Sequence, residues 1–457
     1  MNQTPSPTFD AFDRLVTERM PAWSAELEAL CRIRSEAVDP AGLREAAEWV
    51  GERLRRAGAE VDLVELDGVP PLVVGEVGDG PLVLNAVQHY DVQPAAPLEL
   101  WTTPPYEPDV RDGRLYARGA SDNKGQLLVR IQAVEAYRAA VGELPCRIRF
   151  LVEGEEESGS GNLGRLLDTR PGLRRADAAL QEGGSVNEHG APVLICGVRG
   201  LVYVELSVRT LSFDAHSGGA QLYPNAAWRL IEALSTLWSN PDGRVLIDGF
   251  YDSVRRATDA QLAHLRDNVP FEEPQLKEIY GTDLFVAGRT GLDAQAAHIF
   301  EPTCNVAGIW SGWTGHGSKT ITPAEARAKL DLRLVPDQDP WEIRRLLRAH
   351  LDANGFTDVE ITDLGHEHPF WTPIDAPIVE AASRACEEAF GQGAIRQFSS
   401  PGTAPMYEVC AADAVPMVAI GCGDHHARAH APDESIDLER YAQAARALGR
   451  LIAYWAG

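Results

Sequence analysis

The run RIRFLV, residues 147–152, is apolar enough for a strand buried on both faces, and it passes without a break into VEGEEESGS, which sets Glu153, Glu155, Glu156 and Glu157 side by side. Burying even one unpaired carboxylate is costly. A chain that ends a buried strand this way must therefore turn into solvent at once or bring a cation to the acids. A solvated first helical turn, where acidic residues are favoured by the helix dipole, is the first solution. A bound metal is the second.

The same handover recurs along the chain. PLVLNAV (81–87), DAALQ (177–181), APVLICGV (191–198) and VPMVAIG (415–421) also read as buried parallel strands, and the helical patterns KGQLLVRIQAVEAYRAAV and APIVEAASRACEEAFG separate several of them. This pattern predicts an α/β fold with a mostly parallel sheet covered by helices. Between 199 and 367 the texture changes. GLVYVELSVRTLSF and EARAKLDLRLVP alternate apolar with polar residues, as half-exposed antiparallel strands do, beside the helical segments AAWRLIEALSTLW and PWEIRRLLRAHLDANG. A length of 457 residues exceeds what one core usually supports. The expectation is a first domain made of 1–198 and 368–457, with a smaller α+β domain, 199–367, inserted into it.

In open α/β sheets, ligands gather at the carboxyl ends of the strands. His89 and Asp91 follow PLVLNAVQ; Asp122, in YARGASDNKG, stands just ahead of a helix; Glu182 follows DAALQ; and His430 follows VPMVAIGCGDHHARA. Imidazole and carboxylate are the ligand types that borderline divalent metals such as Zn2+ accept. A lone His or Asp after a strand is usually a turn or cap residue; it is the joint placement that points to a metal. Gly159, Gly161 and Gly164 spell a dinucleotide-type G-x-G-x-x-G, but the glutamates just upstream would repel a pyrophosphate, and GWTGHGSKT lacks the GK[ST] run of a phosphate loop. His425 and His426 read as loop residues near the site. His366 and His368 have neither thiolates nor an HExxH arrangement beside them.

Composition narrows the partners. With 42 basic against 67 acidic residues the formal charge is −25, which disfavours nucleic acid and anionic membranes. No apolar stretch reads as a membrane span, the opening MNQTPSPTFDAFDRLV does not read as a leader, and nothing beyond the first few residues reads as disordered. Seven cysteines scattered singly, without a CxxC pair, argue against a disulfide framework or a thiolate zinc site and fit a reducing cytoplasm.

The stretches QHYDVQP, LYARGASDNKGQ, EGEEESGSGNL, FDAHSGG, EPTCNVAGIWSGWTGHGSKTITPAEARAKLDLRLVP and ARAHAPDESI resemble the M20 metallopeptidases, and within them the carnosinase-like dipeptidase branch. The resemblance implies hydrolysis of the amide bond of dipeptides or related aminoacyl substrates by a hydroxide shared between two divalent ions, Zn2+ first and Mn2+ second. Asp122 would bridge the two ions, with Glu157 and His430 completing one and His89 and Glu182 the other. Asp91 would orient His89, Glu156 would be the general base, and the peptide bond after Asp122 would be cis. It further implies that the inserted domain is a lid that also dimerises the protein. His216 would reach the active site of the partner subunit, while Arg333, with Thr320, Gly402 and Thr403, would hold the substrate's free carboxylate. RQFSSPGTAP departs from the family pattern, in which a basic residue and paired glycines are usual. An N-acyl amino acid deacylase or a carboxypeptidase of the same chemistry is the alternative. An inactive binding module on the same fold is the non-enzymatic one.

Overall fold

The computed structural model describes residues 9–457; the first eight, the stretch expected to be disordered and the start of the segment searched for a leader, lie outside the described residues. The chain divides into two compact units. One comprises Met1–Gly197, Trp371–Ser400 and Ala404–Gly457, and the other Val198–Phe370 with Pro401–Thr403. The short segment 401–403, grouped by sequence with its flanks, falls in the second unit because Gly402 O accepts from Arg199 N and Thr403 Oγ1 lies 3.5 Å from Arg333 Nη1.

In the first unit the expected apolar runs form the strands Val83–His89, Arg147–Glu153, Ala178–Gln181, Pro192–Ile195 and Met417–Ala419. They lie in a nine-stranded sheet whose centre runs in the order 147–153, 83–89, 178–181, 417–419, all parallel. Glu60–Val64 and Leu72–Val77, which no apolar run singled out, add an antiparallel edge. Pro192–Ile195 was expected to be parallel, but runs antiparallel to Met417–Ala419. The segment 182–191 is too short for a crossover helix, so the chain reverses through a turn at Asn187, whose Oδ1 accepts from the N–H groups of His189 and Ala191.

Helix Lys124–Ala140 is buried along most of its length and packs between Asp10–Cys31 and Leu438–Ala456. All-round burial explains its even spread of apolar residues, since it has no solvent face to make polar. The loop ahead of it doubles back over the first turn. A Cβ on Gly125 would lie 2.2 Å from the Ala120 carbonyl oxygen and 2.7 Å from Ile436 Cδ1, so only glycine admits this close approach.

The second unit has a four-stranded antiparallel sheet in the order Asn305–Ser311, Glu325–Leu334, Gly200–Arg209, Glu360–Glu367. Alternation is strict in the two central strands, where Val202, Val204 and Leu206 share a core with Ala328, Leu330 and Leu332. Helices Ala226–Ser235 and Pro340–Ala353 cover that face with Leu230, Ile343 and Leu347.

Gly125→Ala should lower the urea unfolding midpoint by an amount equivalent to about 1–3 kcal/mol, since backbone rather than a flexible side chain occupies the space the methyl needs.

Candidate metal centre

The four parallel strands deliver their following residues to one edge of the sheet. His89 is the last residue of its strand and pairs in register with Glu153. Gln181 pairs with Val87, so Glu182 emerges beside His89. The chain beyond Met417–Ala419 leads through a loop to His430, which adopts a left-handed backbone with φ 62°. Asp122 arrives from the loop ahead of helix Lys124–Ala140, and its peptide bond to Asn123 is cis.

The side chains converge on Asp122. His89 Nε2 lies 3.2 Å from Asp122 Oδ1, 3.5 Å from Glu182 Oε2 and 3.9 Å from Glu156 Oε2. His430 Nε2 lies 3.0 Å from Asp122 Oδ2 and 3.1 Å from Glu157 Oε2. Each oxygen of one carboxylate thus faces a different imidazole, and each imidazole has a second carboxylate beside it. The ligand-type atoms of His89, Asp122 and Glu157 lie within 4.8 Å of one another, as do those of His89, Glu156 and Glu182. All five expected ligands, together with Glu156 and Asp91, therefore meet at one place.

Asp91 serves two neighbours. Its main-chain oxygen lies 3.1 Å from His89 Nδ1 and its Oδ1 3.2 Å from the same nitrogen, while its Oδ2 accepts from the N–H of Glu157 at 3.0 Å. With Nδ1 occupied on that side, Nε2 is left to face the cluster. Glu153 and Glu155 point elsewhere: Ser160 Oγ donates to Glu153 at 2.9 Å, and Asn162 Nδ2 donates to both oxygens of Glu155. Asn123 Nδ2 donates to Glu182 Oε2 at 3.2 Å. His425 and His426 lie against each other with ring centroids 3.8 Å apart and planes tilted by 41°, and His366 stacks on Trp341 at 4.1 Å.

Residues 87–454 match peptidase family M20/M25/M40. The chain belongs to this family. It is 27% identical over 459 residues to the Beta-Ala-His dipeptidase of Rattus norvegicus, covering 96% of this chain and 91% of that protein. It is 28% identical to the Cys-Gly metallodipeptidase of Schizosaccharomyces pombe, covering 87% of each. An M20 family metallo-carboxypeptidase from Sulfolobus solfataricus has a crystal structure that superposes with a TM-score of 0.89 at 34% identity, covering 95% of this chain and 99% of that one.

The electrostatics fit the cation that an M20 peptidase requires. Burial, reinforced by the charges of Asp122, Glu157 and Glu153 and only partly offset by His89, pushes the Glu156 carboxyl up to about 8. Burial and the charges of Glu156, Asp122 and Glu157 likewise raise Glu182 well above the carboxylate range, again with His89 opposing. Hydrogen bonds to Asp122 and Glu157 hold His430 up at about 10. The cluster thus lacks positive charge and draws it from protons. A divalent cation would supply that charge directly, and the donor set of nitrogen and oxygen suits one.

Two buried cations that the sequence pattern did not reveal lie beneath this end of the sheet. Arg130 donates to the carbonyls of Gln181, Gly183 and Ile420, at the ends of two of the parallel strands. Lys124 Nζ donates to the carbonyls of Leu30 and Ile33. Both sit in a helix where position alone reads them as surface residues.

The remaining expected site residues belong to the second unit and form two groups. His216 pairs in register with Ile321 and its Nδ1 accepts from Gly218 N at 3.0 Å, which sets it next to Thr320. Arg333 lies near Thr403, and Gly402 is held by Arg199. Glu367, missed in the sequence, shares the cross-strand partner Leu201 with Arg333. Burial pushes its carboxyl up to about 7, and the Arg333 charge opposes this.

Because that folded-state value exceeds the ordinary 4.5, the unfolded chain releases the Glu367 proton first, and stability falls as pH rises through this window. Glu367→Gln removes the effect. Its unfolding midpoint relative to the wild type should climb between about pH 4.5 and 7 and level off above, in thermal denaturation run across that range.

Proposed function

We propose that this M20 peptidase is a dipeptidase that hydrolyses the amide bond of small peptides with two divalent cations bound. The observation that carries the reading is the Asp122 carboxylate, whose oxygens face His89 on one side and His430 on the other. His89 and Glu182 would hold one cation, His430 and Glu157 the other, and Asp122 both. When bound, the pair, Zn2+ or Mn2+ by donor type, would supply Lewis acidity toward water and the scissile carbonyl.

The protein's own groups would do the rest. Glu156, next to Glu157 in the turn Glu156–Ser158 but not facing His430, would accept a proton from the attacking water and return it to the leaving amine, with no covalent intermediate. Asp91 would keep His89 and Glu157 in register. His216, exposed on the second unit, would donate to the developing oxyanion in the partner subunit. The Arg333 guanidinium would take the substrate carboxylate as a fork, with Thr320, Gly402 and Thr403 framing it.

A homodimer through the second unit accords with its free edge. Strand Asn305–Ser311 pairs on one side only and leaves Val306, Ile309 and Trp310 exposed, while helix Ala226–Ser235 exposes Trp228 and Ile231. Unpaired apolar edges of this kind invite a partner strand or face. No helix among the described residues is long and apolar enough to cross a membrane, and all seven cysteines are free thiols, six of them buried. This supports a cytoplasmic location.

The names of the two peptidase relatives support a dipeptide substrate. The 34% identity to a metallo-carboxypeptidase favours a second reading, in which the same centre trims longer or N-blocked substrates from the carboxyl end. Free dipeptides and their Nα-acetyl forms, assayed side by side, separate the two. The dipeptidase reading expects loss of activity on acetylation, and retained activity would install the carboxypeptidase or a deacylase instead.

Glu156→Ala should keep its metal, counted by elemental analysis, yet lose about 10²- to 10⁴-fold in kcat. Wild-type turnover by this variant would remove Glu156 from the mechanism, whereas no peptide turnover by the wild type itself would return the inactive-module reading.

A further inference from the structure

Glu434 is fully buried and four residues beyond His430. Strand Ser435–Asp437 pairs antiparallel with Arg114–Tyr116, and the ladder extends one step further where Ala117 N donates to Glu434 O. This places the Glu434 side chain inside the loop 117–122. There its two oxygens take four donors. Oε2 accepts from Arg118 Nη1 at 2.6 Å and from Gly119 N at 2.9 Å, and Oε1 accepts from Ser121 N and Asp122 N, both at 2.9 Å.

We propose that Glu434 is a positioning residue for the metal centre, one whose buried carboxylate fixes the main chain presenting Asp122 to the loop presenting His430. The proposal rests on the reading of the centre given above. Three of the four donors are main-chain amides of one loop, those of Gly119, Ser121 and Asp122 itself. The His430 loop has left-handed residues at Arg428, His430 and Asp433, so it needs anchors. Asp433 accepts from Thr102 N and Oγ1, Asp424 takes a bidentate pair from Arg114, and Arg114 Nε also donates to Ser435 Oγ. Of these anchors, only Glu434 joins the two loops that carry ligands to each other. Arg118 supplies its countercharge, so the junction is neutral as a pair and adds nothing to the negative charge at the centre.

A carboxylate is required because both of its oxygens accept. In Glu434→Gln, whichever end becomes the amide NH2 meets two N–H groups: Arg118 and Gly119 on one side, Ser121 and Asp122 on the other. The loop must then shift, and with it the separation of Asp122 and His430. Partners of ligands that are lost in this way typically cost about 10- to 100-fold in metal affinity.

The test titrates Zn2+ into the metal-free full-length protein by calorimetry, with thermal unfolding of the metal-free and Zn2+-loaded forms and dipeptide kinetics alongside. Wild type should take two Zn2+ per chain. Glu434→Gln should bind at least one of them about 10- to 100-fold more weakly, gain less in Tm on Zn2+ addition, and lose kcat with KM within about twofold. Arg118→Gln should move every readout the same way by a smaller amount, and Arg118→Lys should recover part of it. Wild-type Zn2+ affinity in Glu434→Gln overturns the proposal, even if Tm falls equally with and without metal, because that marks an ordinary structural carboxylate. Should Glu434→Gln not fold, an unchanged isotherm in Arg118→Gln overturns it equally. No Zn2+ uptake by the wild type would defeat both this proposal and the reading of the centre, whereas two-site uptake unaffected by the substitutions defeats this proposal alone.

Discussion

Glu156 and Glu182 crowd against Asp122 and Glu157 in a space where lost hydration and repulsion from neighbouring acids oppose the charged state of the first two. The surrounding architecture follows from that conflict. Parallel strands all end at the same edge of a sheet, so residues from distant parts of the chain arrive together there without any strand having to bend. Two imidazoles stand between the carboxylates rather than outside them, with Asp122 shared. The raised values at Glu156, Glu182 and His430 express one shortage, that of positive charge.

The acids that surround the centre divide into two kinds by what they touch. Asp122, Glu157 and Glu182 turn an oxygen toward the ring nitrogen of His89 or His430. Those set back from the centre are held by other donors: Asp91 by the Glu157 amide, Glu153 by Ser160, Glu155 by Asn162, and Glu434 by Arg118 and three loop amides. Sequence proximity does not sort them. Glu155, Glu156 and Glu157 are consecutive, yet each faces a different set of neighbours.

What could be read from the sequence was whatever depends on local pattern. The apolar runs, the amphipathic helices and the residues after strand ends or ahead of a helix all carry a periodic or positional signal, which drew notice to His89, Asp122, Glu182, His430 and the glutamate cluster 153–157; choosing Glu157 within that cluster took the family resemblance. Glu434 has no such signal. It meets the Asp122 loop only because strand 435–437 pairs with strand 114–116, a contact between residues more than three hundred positions apart. Arg118, Arg130 and Lys124 were hidden for another reason: a cation in a helix or loop reads as solvated unless the carbonyls it will meet are already placed. The edge strand Glu60–Val64 was missed because it is half exposed and too polar to stand out as a buried run.

Arg130 has a mechanical consequence. Among the described residues its guanidinium has no carboxylate partner within hydrogen-bonding reach, and it is held by carbonyls from two neighbouring strand ends and its own helix. Prising those strands apart would leave a full charge facing hydrocarbon. One side chain therefore ties two of the strand ends beneath the metal centre to the helix that follows Asp122.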